Sequence, residues 1–316
     1  MLLDVLALVG GLVLLMGAAN LLVRGSASLA LRLGLTPLVV GLTVVAFGTS
    51  APELVVSVQA ALSGAGGIAV GNVVGSNIAN VGLILAIAVL VRHIASDPTM
   101  IRRDLPVLVV ATGVGAALLL DGRVGRGEGA VLLAALVVYL VWSVRQARRE
   151  QAAAALAVDL PVTEPTGPAW RDGLFVVGGL GGLVIGADLF VGGAVSLAEV
   201  AGVSNAVIGL TVVAVGTSLP ELATSVVASA RGEGEIAVGN VVGSNLFNLL
   251  GILGVAALVR PLEAPGLEPI DVAVMAAFTL ALVPMMLTGR RLVRIEAGLL
   301  LAGYAAYVGY LVSQHG

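Results

Sequence analysis

Two glutamates in this chain follow prolines inside otherwise apolar segments: Glu53 in GTSAPEL and Glu221 in GTSLPEL. A proline within a helix removes one backbone hydrogen bond and frees a carbonyl about a turn earlier. Here the freed oxygens fall around Ala46–Gly48 and Ala214–Gly216, and Thr49, Ser50, Thr217 and Ser218 add hydroxyls beside them. A second motif, GNVVGSN, places Asn72, Ser76 and Asn80 at i, i+4 and i+8, a polar stripe along one helical face. Asn240, Ser244 and Asn248 repeat that stripe, and Gly71, Gly75, Gly239 and Gly243 beside it allow close helix approach. The set offers two carboxylates among amide, hydroxyl and carbonyl oxygens. There is no Cys, and His93 and His315 fall in a loop and at the C-terminus, where both read as solvated. All-oxygen donors select hard cations such as Ca²⁺, Mg²⁺ or Na⁺, and one Ca²⁺ balances two carboxylates. Mg²⁺ fits less well, because it gives up its waters reluctantly.

The elements that hold these residues lie in a membrane. The chain of 316 residues is 59% hydrophobic and 11% charged, where a soluble domain carries about 25% charged residues. Apolar runs long enough to cross a bilayer recur throughout. Ten spanning helices are expected near 3–23, 37–62, 67–91, 105–120, 128–145, 172–198, 204–229, 236–259, 270–288 and 293–312. The N-terminal stretch lacks the basic region of a cleaved leader and reads as the first span. A charged group at the centre of a membrane helix costs roughly 2.5–3.5 kcal/mol or more, so two symmetric glutamates beside two helix breaks point to function. Asp188 is a third acid at that depth, opposite Asn20 in the repeat described below; a helix-packing hydrogen bond is expected for it, with lining of the aqueous pathway as the alternative.

All 16 basic side chains are Arg. Thirteen lie in loops after odd-numbered spans, and only Arg123, Arg126 and Arg260 in the others. Positive charge is retained on the cytoplasmic side, so both termini are expected outside the cytoplasm of a prokaryotic plasma (inner) membrane. Residues 146–170, rich in Ala and Pro, read as a cytoplasmic linker.

An internal repeat organises the whole. Residues 41–92 and 209–260 align without a gap at an offset of 168, with 34 identities in 52 positions. The same offset aligns 10–25 with 178–193. The chain is therefore read as an all-α membrane protein of two five-helix halves, 1–145 and 171–316. Five is odd, so the second half enters the membrane inverted, with the broken helices meeting at the midplane.

These motifs resemble the alpha repeats of the calcium/cation antiporter superfamily, nearest to prokaryotic sodium/calcium exchangers. The resemblance implies secondary antiport of Na⁺ against Ca²⁺ by alternating access, typically three Na⁺ for one Ca²⁺, with the first and sixth helices sliding across the other eight. It also implies ion ligation by Glu53, Thr49, Ser50, the Ala46 carbonyl, Ser76 and Asn80. In the second half the corresponding ligands are Glu221, Thr217, Ser218, the Ala214 carbonyl, Ser244 and Asn248. Asn72, Asn77, Asn240 and Asn245 are expected to support them from behind. Many prokaryotic relatives and the potassium-dependent branch carry Asp at the position of Asn248, so this chain departs towards the potassium-independent pattern. The partners expected are Ca²⁺, Na⁺ and the lipid bilayer, with no nucleic acid, no cofactor and a monomeric state. A calcium/proton antiporter on the same fold is the alternative, against which the hydroxyls flanking each glutamate argue, because protons need no such ligands. A passive cation channel is a remote one. No nucleophile–base pair or nucleotide loop suggests an enzyme.

Overall fold

The computed structural model describes residues 1–157, 168–200, 216–264, 267–288 and 291–315. Almost all of them are helical. In chain order the helices are α1 (Leu2–Leu33), α2 (Pro37–Thr49), α3 (Ala51–Leu62), α4 (Gly66–Val91), α5 (Met100–Leu120), α6 (Arg126–Ala157), α7 (Ala169–Val200), α8 (Leu219–Arg231), α9 (Gly234–Val259), α10 (Pro269–Leu287) and α11 (Arg294–His315). Among the described residues eight helices are long and apolar enough to cross a membrane, and the α2–α3 pair, bent by 47°, makes a ninth. The span expected over 204–229 begins in residues outside the description, and Ala214 lies among them.

Several helices outrun the expected spans. α1 continues past Arg24 to Leu33 because its polar residues find partners on α7: Ser28 Oγ donates to Asp172 Oδ2 at 2.7 Å, and the Arg32 guanidinium pairs with the same carboxylate. Gly34 (φ 63°) then ends the helix in the left-handed conformation, which costs glycine little. α6 likewise runs on to Ala157, into the stretch read as a linker. α5 starts at Met100, so Arg103, expected in a loop, is buried in its first turns. Arg103 donates to both oxygens of Asp104 (2.9 and 3.0 Å), and the Tyr139 hydroxyl donates to Asp104 Oδ1 at 3.0 Å. That buried, bonded pair ties α5 to α6.

α1 and α7 pack antiparallel along their length through glycines. Gly11 meets Gly186 and Phe190, Gly25 meets Asp172 and Val176, and Gly193 meets Asp4 and Leu8. α2 and α9 approach as closely: a Cβ on Gly243 would lie 2.7 Å from the Leu42 carbonyl, and one on Gly239 2.7 Å from that of Leu38. Side chains this small let backbones touch where lipid offers no hydrophobic drive.

Two short antiparallel ladders clasp the ends of the bundle. β1 (Ile94–Ala95) pairs with β4 (Arg291–Leu292), Ile94 opposite Leu292, and β2 (Arg123–Val124) pairs with β3 (Leu262–Glu263), Val124 opposite Leu262. At the offset of 168 β1 corresponds to β3 and β2 to β4, so each ladder joins one half of the chain to the other. β1 precedes α5 and β2 follows it, which puts the ladders at opposite ends of that helix. α10 runs from β3 to β4, from the second ladder back to the first.

Candidate ion site

The break at Ser50 and the start of α8 fall where the prolines dictate. Ser50 (φ −82°, ψ 7°) separates α2 from α3, with Pro52 in the first turn of α3; Ser218 (φ −91°, ψ 7°) precedes α8, with Pro220 in the same place. Glu53 and Glu221 therefore sit in the first turns of new helices, where backbone N–H groups favour negative charge. Both carboxylates are buried, 2% and 1% exposed.

Each break reaches across to the glutamate of the other. Ser50 Oγ donates to Glu221 Oε1 at 2.9 Å, and Ser218 Oγ donates to Glu53 Oε1 at 3.2 Å. The stripe asparagines hold the backbone behind. Asn72 Nδ2 donates to the Glu53 carbonyl (3.1 Å) and to Ser57 Oγ (2.9 Å); Asn240 Nδ2 donates to the Glu221 carbonyl (3.4 Å) and to Ser225 Oγ (3.1 Å). Thr49 Oγ1 donates to Asn240 Oδ1 at 3.0 Å. The Ala46 carbonyl accepts from the Ser50 N–H at 3.0 Å and from Thr49 Oγ1 at 3.4 Å, so it is already engaged within α2.

Between α4 and α9, Asn80 Nδ2 donates to Asn245 Oδ1 (2.9 Å), and Asn245 Nδ2 donates to the Asn77 carbonyl (3.4 Å). Asn80 opens a π-helical stretch at 80–85, and Asn248 lies in its counterpart at 247–252. Widened turns of this kind are frequent at functional sites, and nothing in the local sequence announced them. Ser76 and Ser244 are buried on the same stripes, and Thr217 is half-buried.

One feature of this cluster sets it apart. Glu53 Oε2, Glu221 Oε2, Asn80 Oδ1, Asn248 Oδ1 and Ser244 Oγ are buried with no hydrogen-bond partner among the described residues. Asn77 Oδ1 shares that state, and every buried carboxylate or amide oxygen in it belongs to these few residues. An unsatisfied buried polar group costs about 1–3 kcal/mol. The Ser26, Ser96, Ser143 and Thr224 hydroxyls are also unpartnered among the described residues. The carboxylate and amide oxygens in that state, however, all lie on the two motifs, a donor set whose chemistry fits a dehydrated hard cation. Among the described residues no group of three or more acidic, His or Cys side chains could hold a metal, so the charge here comes from the glutamate pair. Asp188 is exposed on α7 and makes no hydrogen bond among the described residues, so the expected packing bond is not seen there. His93 is exposed, as expected, and the His315 side chain lies outside the description.

Such a helical bundle, with one glutamate buried just after a helix break and another just after a helix start, is shared with a class of membrane cation antiporters. The chain matches the sodium/calcium exchanger protein family over residues 3–145 and 173–313 and belongs to it. CaxA of Alkalimonas amylolytica is 39% identical over 312 residues, covering 96% of this chain and 97% of the relative. Sodium/calcium exchanger MaX1 of Methanosarcina acetivorans is 32% identical, covering 96% and 97%. Among solved structures, the sodium-calcium exchanger NCX_Mj superposes with a TM-score of 0.85 at 32% identity, covering 98% of each chain. The calcium/cation antiporter assignment drawn from the motifs holds.

Proposed function

We propose that this antiporter exchanges Na⁺ for Ca²⁺ by alternating access, and that Ca²⁺ is held between Glu53 and Glu221. The observation that carries this reading is the set of bare buried oxygens on Glu53, Glu221, Asn80, Asn248 and Ser244. Ser76 and the hydroxyls of Thr49, Ser50, Thr217 and Ser218 complete the donor set for Ca²⁺ and Na⁺ in this reading, which also assigns the carbonyls of Ala46 and Ala214 to it. In the Na⁺-loaded state the hydroxyls at each break serve as neutral ligands, which a proton-coupled site has no need of. NCX_Mj, so similar over its whole length, is a sodium-calcium exchanger by name.

Two inverted halves, 1–145 and 171–316, and ten spans follow from the same reading. Its support is the crossed ladders: α5 and its repeat mate α10 run in opposite senses between them, as do α1 and α7. Arg123, Arg126 and Arg260 gather at the β2–β3 ladder, where Arg123 pairs with Glu263 and Arg126 Nε donates to the Leu258 carbonyl at 3.2 Å. That end is assigned to the outside and the arginine-rich β1–β4 end to the cytoplasm.

Alternating access requires two packings of the α1–α7 pair against the remainder. The repeat mates α8 and α3 differ in the way this requires. α1 covers α8, and Arg231 Nη1 donates to Asn20 Oδ1 at 2.5 Å. Ala223 is 8% exposed there, whereas its counterpart Val55 on α3 is 54% exposed. The conformer is thus read as closed to the cytoplasm and open outside.

Radiolabelled Ca²⁺ uptake into proteoliposomes loaded with Na⁺, K⁺ or acid tests the counter-ion. Uptake is expected with Na⁺ alone; uptake driven equally by acid loading would replace Na⁺ with protons, and uptake with no gradient would make the protein a channel.

A further inference from the structure

At the end assigned to the cytoplasm, a recess of about 290 Å³ opens between α1, α7 and α8, lined by Arg24, Arg171, Arg231, Asp172, Phe175 and Glu233. Its charges do not balance. Asp172 is buried and already bonded by Ser28 and Arg32. Arg24 makes no hydrogen bond or ion pair among the described residues. Arg171 lies over the Phe175 ring at 5.1 Å, and Arg231 spends one N–H on Asn20. No ion pair links Glu233 to these arginines among the described residues. Three guanidiniums thus converge on a small recess against one free carboxylate, with most of their N–H donors unused.

We propose that this recess binds a phosphate group, that of an anionic phospholipid headgroup at the membrane surface. Guanidinium offers a planar fork that matches phosphate oxygens two at a time. The position favours a lipid source: α1 and α7 expose Leu21, Leu174 and Val177 nearby, apolar surface on which acyl chains can lie while the headgroup reaches the arginines. Anionic lipids attract basic residues next to spanning helices. Here the walls come from α1 and α7 on one side and α8 on the other, so a bound headgroup would bridge the pair read above as mobile to the rest of the bundle. That consequence rests on the proposed transport cycle, but the binding itself does not.

The test is retention of phosphatidylglycerol against phosphatidylcholine by the purified full chain in native mass spectrometry. The native protein is expected to prefer phosphatidylglycerol by about tenfold. Arg24→Gln/Arg171→Gln is expected to lose that preference. Arg24→Lys/Arg171→Lys keeps the charge without the fork and should retain an intermediate preference, which also separates loss of the site from failure to fold. Displacement of the lipid by millimolar inorganic phosphate would keep the site and identify the free anion as a competing ligand. Equal retention of the two lipids, or a preference that survives in the Gln variant, would overturn the proposal.

Discussion

Glu53 and Glu221 carry all the formal charge of the proposed site, and each has one oxygen bonded across the repeat and one bare. Neutralising either one removes half the charge opposite a dehydrated Ca²⁺, and breaking a buried contact between opposite charges costs about 3–5 kcal/mol, about a hundredfold or more in affinity. Glu53→Gln and Glu221→Gln are therefore each expected to abolish Ca²⁺ exchange in proteoliposomes while leaving an inserted, monodisperse protein. Exchange at the native rate in either variant would remove the basis of the assignment. Protons compete with Ca²⁺ for the same oxygens, so exchange should fall as pH falls and recover when Ca²⁺ is raised. Acid inhibition that excess Ca²⁺ cannot relieve would place the titrating group elsewhere. Asn248 offers its bare amide oxygen but no third charge. K⁺ is accordingly expected to be neither needed nor carried, and three Na⁺ against one Ca²⁺ should move net charge. Currents under clamped potential, with and without K⁺, check both, and a strict need for K⁺ would contradict the reading of Asn248. Most of these residues were legible because glutamate beside proline is so costly in an apolar helix. The engagement of the Ala46 carbonyl inside α2 was not, since it depends on the helix running on to Thr49 so that the Ser50 N–H reaches back to it.

The helices themselves show where sequence patterns stop. The break at Ser50 and the start of α8 follow from Pro52 and Pro220, and the expected spans survive in the core of nearly every described helix. Hydropathy ended α1 near Arg24 and placed Arg103 in a loop because a window of residues registers the charge and not its partner. In the structure, Asp172 waits on α7 for Arg32, and Asp104 is beside Arg103. Strands of two residues and π-turns leave no periodic trace at all. A prediction belongs to this scale. If the Arg231–Asn20 bond holds α1 over α8, Arg231→Gln should loosen that packing, and Arg231→Lys should largely restore it. The measurement is alkylation of a Cys placed at Ala223 in inside-out vesicles. The expected result is several times faster labelling in the Gln variant, the effect of losing about 1 kcal/mol from an exposed hydrogen bond. Unchanged labelling would remove Arg231 from any gating role.

For the whole molecule, the repeat was the most legible feature, because 34 identities at one offset leave little freedom in how the halves relate. The orientation rests on arginine alone. A Cys near residue 155 should react with a membrane-impermeant reagent only after permeabilisation, whereas one at Gly316 should react in spheroplasts. The reverse pattern would invert the topology while leaving the ion site intact.

The crossed ladders carry one more consequence. Each half leaves its short strands for the other half to complete, and each glutamate accepts a hydroxyl proton from the opposite break. Neither half can finish its own edges or seat its own carboxylate. On the inverted arrangement proposed above, a single half could satisfy both needs only by meeting a second copy of itself inserted the other way up. That complementarity means that two fragments divided within 158–167 and co-expressed should find each other in the membrane and restore exchange.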